Sequence, residues 1–264
     1  MPEIAIKIIL FIYGALVGSF LNVCIYRMPR DELSVRKPQR SFCPYCNKQI
    51  LWYDNIPFLS YLFLGGKCRF CKKMISFRYF LVEFITASLL VVLYSFFGLS
   101  LHFSVYAVLT CALIVATFVD FEFQIIPDEI TLGGLVIGVI LCLLFPRLHN
   151  TDSRITSLIQ AGLGILAGGG SIYLIGKFGE IIFKKESMGG GDVKFLAMIG
   201  AIVGWQQVFL IFFIAPFFGA IVGIILKIRK GVELIPYGPY LSLATFLILL
   251  WGRNILEYYF MYNF

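Results

Sequence analysis

Two kinds of side chain in this sequence have the type and spacing to do chemistry. The first are cysteines: Cys43 and Cys46 form C-P-Y-C, Cys68 and Cys71 form C-R-F-C, and 21 residues separate the pairs. Each C-x-x-C can bring two sulfurs to one side of a tight turn, and two such turns can close around one tetrahedral ion, for which zinc is the expected metal. Disulfides, or one redox C-x-x-C, are the alternatives. A reducing compartment disfavours the first, and the second gives no reason for a second copy. A four-cysteine site leaves no open position for substrate, so its expected part is to fold the segment around it. Cys24, Cys111 and Cys142 stand singly in apolar stretches, where a thiol packs as a small hydrophobe.

The second kind are carboxylates. Histidine offers little, since His102 and His149 are the only two and no H-E-x-x-H or Ser-His pattern occurs. Asp120 closes one apolar stretch in A-T-F-V-D-F-E-F-Q-I-I-P-D, and Asp192 opens another directly after Gly189, Gly190 and Gly191. Two carboxylates that share a site cannot easily both ionise, so the pair holds one proton. The ionised member can then activate a water while the protonated one polarises a peptide carbonyl, as in aspartic proteases. The three glycines would let a substrate backbone approach closely and would permit positive φ before the Asp192 helix. Against this stands the possibility that Asp192 merely caps its helix, and a cap is the expected part of Asp128 after Pro127. Glu122 and Glu129 are expected to face headgroups or water. Glu83, inside an apolar stretch, needs a partner or a role, and Arg78 is one candidate partner.

What must position these groups is set by composition. The 264 residues are 59% hydrophobic and 14% charged, with a mean hydropathy of +0.88. A soluble domain is about 45–50% apolar and about 25% charged, so a water-soluble enzyme, a nucleic-acid binder and a disordered chain are all excluded. Apolar stretches fall at 4–26, 79–98, 101–119, 130–146, 157–182, 193–206, 207–227 and 239–252. Each suits a crossing of a hydrocarbon core spanned by about 20 helical residues. The expected fold is therefore an all-α polytopic membrane protein of about eight transmembrane helices, with a small cytoplasmic zinc-knuckle domain between the first and second. The expected divisions are a first helix at 1–26, a basic loop at 27–78 and a seven-helix core at 79–264. The first stretch reads as a retained span, because it is long for a secretory signal, its basic residues follow it and no A-x-A-like site comes after.

Charge fixes an orientation. Eleven of the 22 Lys and Arg residues lie between Arg27 and Arg78, beside three acids. This is the pattern of a cytoplasmic loop. Both termini then lie outside, and segments 120–129, 183–192 and 228–238 face the cytoplasm with Asp120 and Asp192 at one depth. On that topology 18 basic residues are inside and four, Lys7, Arg147, Arg154 and Arg253, are outside.

The ordered motifs resemble those of the bacterial prepilin peptidases, membrane enzymes of the GxGD type. They include Gly18-Ser19-Phe20-Leu21-Asn22-Val23, Arg27-Met28-Pro29, C-P-Y-C, Asn55-Ile56-Pro57, Ser60-Tyr61-Leu62, Gly65-Gly66-Lys67-Cys68, Arg78-Tyr79 and Val82-Glu83. Asp120 stands six positions before Ile126-Pro127-Asp128, Gly189-Gly190-Gly191-Asp192 continues into Val193-Lys194, and Ile235-Pro236-Tyr237-Gly238-Pro239-Tyr240 follows near the end. The resemblance implies that Asp120 and Asp192 are catalytic. It also implies removal of a short basic leader from type IV prepilins and pseudopilins on the inner membrane face, followed by N-methylation of the new terminus from S-adenosylmethionine. Relatives with a knuckle tend to have both activities. Glu122 and Asp128 are candidates for contact with a basic leader, and Gly66, Lys67, Glu83 and Asn22 for the methyl-transfer site. The implied partners are a prepilin and the lipid bilayer of the bacterial cytoplasmic membrane, without nucleic acid; a homo-oligomer is left open.

Two other classes compete. A transporter would place ionisable groups near the bilayer midplane at broken, repeated helices, whereas these aspartates fall at helix ends. An assembly scaffold gives no reason for two aspartates on one membrane face.

Overall fold

The computed structural model describes residues 2–30, 32–38, 40–184, 188–230 and 235–262. Parts of the predicted loops 183–192 and 228–238 lie outside those residues. Among the described residues the chain is helical and has no strand, only isolated bridges. Every expected apolar stretch forms a helix. These are α1 (Glu3–Arg27), α3 (Arg78–Phe97), α4 (Leu101–Phe123), α5 (Asp128–Leu144), α6 (Arg154–Phe183), α7 (Gly190–Val203), α8 (Trp205–Lys230) and α9 (Gly238–Tyr262). A short α2 (Leu59–Phe63) lies between the cysteine pairs. This is the architecture of a polytopic membrane protein.

The eight long helices are not equivalent. Six are long and apolar enough to cross a bilayer, while α5 and α7 are shorter, with 17 and 14 residues. At ~1.5 Å per residue α7 spans only ~21 Å. Nine consecutive residues of α7, Phe195 to Val203, are buried. A helix apolar all round is suited to enclosure by other helices, and α7 touches α5, α6, α8 and α9. Its tight packing comes from glycine. A Cβ at Gly164 of α6 would collide with the backbone of Gly200, one at Gly200 with Gly164, and one at Gly168 with the Leu196 carbonyl. Such small-residue faces bring backbones together where lipid supplies no hydrophobic drive. Gly204, at φ +83, ends α7 and turns the chain into α8.

The chain divides into two compact units, residues 1–115 and 116–264. In the first, α1 packs against α3 through glycines. A Cβ on Gly14 would lie 2.6 Å from Ala87 Cα, and one on Gly18 2.7 Å from Glu83 Cα. The cysteine segment is inserted between these two helices. In the second, α5, α6, α8 and α9 pack around α7 as described, and residues 116–123 of α4 belong with them.

Candidate active site and metal site

The knuckles build themselves locally. In the first, Cys43 N–H donates to Lys48 O (3.0 Å) and Asn47 N–H to Cys43 O (2.9 Å), with Asn47 at φ +56. In the second, Cys68 N–H donates to Lys73 O (2.9 Å) and Lys72 N–H to Cys68 O (3.0 Å), with Lys72 at φ +59. Both turns thus take one left-handed residue just after the second cysteine. They also exchange cations: Lys48 lies 5.0 Å from the ring centre of Phe70, and Lys73 4.9 Å from that of Tyr45.

The four sulfurs lie within 4.8 Å of one another, and Cys43 and Cys71 are 3.8 Å apart. Zn–S bonds of ~2.3 Å in a tetrahedron require sulfurs about 3.8 Å apart, so the cluster could bind zinc. Backbone amides of Cys71 and Phe70 pull the Cys68 thiol down to about 7 despite its burial, whereas burial pushes Cys43 up to about 11. Asp54 takes a paired contact from Arg69 (2.6 and 2.7 Å), which bridges the two halves of the loop.

The carboxylates are placed by helix ends. Asp120 sits in the last turn of α4 and is buried, and Gln124 at φ +54 stops that helix by donating to Asp120 O (3.0 Å). Its Oδ2 accepts the N–H of Gly238, the first residue of α9 (2.9 Å). The fit leaves no room for a side chain, because a Cβ on Gly238 would lie 2.8 Å from that oxygen. Asp192 lies in the first turn of α7, where its N–H donates to Gly189 O (3.1 Å). Gly189, not Asp192, is the N-cap of α7. Ile126 connects the two places, with its side chain under Gly191 and against Gly238.

Asp192 lies close enough to Asp120 to feel its charge. Among the described residues, no hydrogen bond holds Asp120 Oδ1 or the Asp192 carboxylate. Burial, and after it the charge of Asp192, pushes the Tyr237 phenol up, so its O–H remains available to donate. Gly190 and Gly191 form the first residues of α7, whose N-terminal dipole faces this end of the unit.

Asp128 corrects an expectation. It does not cap α5: Pro127 is the N-cap and no side-chain cap bond forms. Its carboxylate reaches instead to Lys194 Nζ through both oxygens (2.8 and 2.9 Å), joining the starts of α5 and α7. Proline already fixes the backbone angle at the cap, and a cation one turn into α7 competes for the acid. Glu122 is exposed, as expected.

Glu83 has other partners than the expected Arg78. It accepts Phe58 N–H (3.0 Å) and a hydrogen bond from Ser19. Asn22 donates to Tyr79 O (3.0 Å), and its Oδ1 is buried without a partner among the described residues. Gly66 takes φ +66, and a Cβ there would lie 3.0 Å from the Tyr61 hydroxyl, while Lys67 is exposed beside it. Asn22 and Glu83 therefore belong to the α1–α3 contact, and Gly66 and Lys67 to the second knuckle.

Sequence reasoning missed four features. The Gly238 amide and Tyr237 were visible only as part of a motif, and the Asp128–Lys194 pair only as opposite charges at helix ends placed on one side. It also dismissed histidine, yet His149 Nδ1 lies 3.0 Å from Ser157 O and 3.1 Å from Ser157 Oγ, with Cys142 Sγ 3.9 Å from Nε2. Ser157 and Cys142 have no exposed surface, so this group is a tether and not a nucleophile open to substrate.

Comparison with known proteins agrees with this architecture. Residues 12–97 match the bacterial Peptidase A24 N-terminal domain, and residues 107–224 match the type IV leader peptidase family. A prepilin leader peptidase/N-methyltransferase of Aeromonas hydrophila is 34% identical over 276 aligned positions, covering 95% of this chain and 92% of the relative. One of Pseudomonas aeruginosa is 36% identical over 270 positions, covering 93% and 90%. A third, of Myxococcus xanthus, is 36% identical over 224 positions, covering 85% of this chain and 64% of the relative. No solved structure gives a significant match. With relatives at this identity aligned over nearly its whole length, the chain belongs to the type IV leader peptidase family.

Proposed function

We propose that this chain is a membrane aspartic endopeptidase that removes the short basic leader from type IV prepilins and pseudopilins, with Asp120 and Asp192 as its dyad. The observation that carries the reading is that Asp192, at the start of α7, lies within electrostatic reach of Asp120, at the end of α4 and against the start of α9. The Gly238 amide orients Asp120 by one oxygen and leaves Oδ1 for the shared proton or for water. One carboxylate activates the water and the other donates to the scissile carbonyl, and the roles exchange as the proton moves to the leaving amine. Gly189, Gly190 and Gly191 leave space for an extended substrate strand beside Asp192. The positive-inside bias of the sequence supports a cytoplasmic-side site and both termini outside, in the bacterial cytoplasmic membrane.

Glu122 and Asp128 are the candidates for contact with a basic leader, and Asp128 would exchange Lys194 for the leader to make it. The four cysteines hold a structural zinc ion that folds residues 27–78.

The second activity is N-methylation of the new terminus. S-adenosylmethionine supplies an electrophilic methyl group there, and this chain must hold a neutral amine for it. Asn22 Oδ1 and Glu83 offer acceptors for such an amine, and Gly66 and Lys67 shape the adjoining knuckle. The test is to incubate the purified protein with a prepilin, with and without S-adenosylmethionine, and to weigh the products. Loss of the leader in both samples, with one methyl group gained only in the first, is expected. An unchanged prepilin mass would overturn the peptidase reading.

A further inference from the structure

The segment between the knuckles shows its apolar side outward. Trp52 is 80% exposed, Leu62 65% and Phe63 85%, and Leu59 is also exposed. Leu59, Leu62 and Phe63 lie at i, i+3 and i+4 and form one stripe on α2, while Tyr61 turns inward against Phe77 and Phe80. In water this arrangement is inverted, since a helix stripe of that spacing normally faces a core.

The anchor of the segment shows what covers it. Phe58 is the centre of a γ-turn, with φ +61, ψ −54 and Leu59 N–H donating to Pro57 O (2.6 Å), a rare and strained conformation. Its N–H is held by Glu83, and its ring packs against Phe11 (5.8 Å), Phe80 (5.4 Å) and Phe84 (6.5 Å). Glu83 is five residues beyond Arg78, ~7.5 Å along α3 at 1.5 Å per residue. Phe11 and Phe84 lie within helices long and apolar enough to cross a bilayer. The turn is thus drawn below the level at which the span begins. Ile12, Leu16 and Phe20 on α1, Phe84 on α3 and Phe77 just before it are exposed apolar residues as well. The adjoining knuckles expose Lys48, Lys67, Arg69, Lys72 and Lys73, and Asp54, the one acid between Cys43 and Arg78, is bound by Arg69.

We propose that residues 52–63 are a re-entrant membrane anchor, inserted at the headgroup–acyl boundary of the leaflet that receives the knuckles, with anionic lipid as the partner of the flanking cations. Tryptophan at that boundary and cations at anionic headgroups are both favoured. Glu83 and the Phe11–Phe58–Phe84 contact fix the depth of the anchor, so the zinc site is held against the leaflet from its middle as well as from its two ends. The inference is independent of the peptidase reading.

The test uses full-length protein carrying Trp205→Phe and Trp251→Phe, which leaves Trp52 as the single tryptophan. It is reconstituted in phosphatidylethanolamine–phosphatidylglycerol vesicles with or without lipid brominated near the head of the acyl chain. Bromolipid should remove at least half of the Trp52 emission, aqueous iodide should remove much less, and Leu62→Ser with Phe63→Ser should reverse that order. Should the double Phe variant not fold, the unaltered protein and Trp52→Phe give the same quantity by difference. Free access of iodide without quenching by bromolipid would overturn the proposal. Shielding of Trp52 only after prepilin is added would assign the face to substrate, and shielding in detergent that is lost on dilution would assign it to a second copy. Either result also overturns it.

Discussion

The knuckles and the carboxylate site hold reactive groups by opposite means. Each knuckle closes within six residues, from Cys43 to Lys48 and from Cys68 to Lys73, with its own amides and one left-handed residue. The carboxylate site has no local scaffold of that kind. Asp120 and the amide that orients it are 118 positions apart, and Asp192 is brought to them by a helix buried from Phe195 to Val203. One site is made by turns that a metal can complete; the other depends on the packing of glycine-lined helices. Damage to the first should remain local, whereas damage to the second should reach the chemistry through the packing.

The largest effect should come from the metal site. Cys43→Ser, or removal of metal by a chelator, should release zinc and open residues 40–75 to protease, since metal binding in small sites is coupled to folding. Leader cleavage by that protein reports how far the two regions are independent, and retention of the metal by Cys43→Ser would contradict the four-sulfur site.

A smaller but sharper effect is expected at Gly238. In Gly238→Ala the new methyl group meets the Asp120 oxygen at 2.8 Å, and a displacement of a catalytic group by about 1 Å can cost about 100-fold in rate. Cleavage rate should fall steeply while the thermal midpoint moves little. Equal cleavage by Gly238→Ala would show that the amide does not position Asp120.

Gly200→Ala should act through stability instead. Its methyl group would enter the backbone of α6 at Gly164, and overpacking of this kind costs about 1–3 kcal/mol. A thermal unfolding curve unchanged from the parent would contradict the close α6–α7 contact.

The smallest effect concerns His149. Burial lowers its pKa, so the ring stays neutral in the folded protein where it would be protonated in the unfolded chain. The unfolded state then binds the extra proton as pH falls below an ordinary histidine value of about 6.5, and stability declines from there downward. His149→Gln should flatten that part of the stability–pH curve. An identical slope in both proteins would remove His149 as its source.

These differences also explain what the sequence made legible. C-P-Y-C and C-R-F-C announce their geometry because every bond of the turn lies within the motif. The apolar stretches were readable because a bilayer demands long apolar helices, but the shortness of α5 and α7, with 17 and 14 residues, was not, since an enclosed helix is as apolar as a spanning one. The exchange of Lys48 and Lys73 between rings needs the two knuckles face to face and has no signature in either. Asp120 and Asp192 could be singled out as carboxylates at helix ends, but not the Gly238 amide, since any helix start can supply an N–H and only packing selects one. Asp128 was misread because propensity favours a cap after proline, and Lys194, 66 positions away, offered its carboxylate a partner that local pattern does not contain. The outward stripe of α2 was overlooked for a related reason: a five-residue helix is too short to show a period.

The central claim is that Asp120 and Asp192 together perform the cleavage. The direct measurement is the mass of a prepilin after incubation with Asp120→Asn or Asp192→Asn protein that retains zinc and the parent's thermal unfolding curve. Loss of either general acid–base partner should slow leader removal by at least about 100-fold, leaving the prepilin at its full mass under conditions in which the parent processes all of it. Processing by either variant at a rate near the parent's would contradict the dyad.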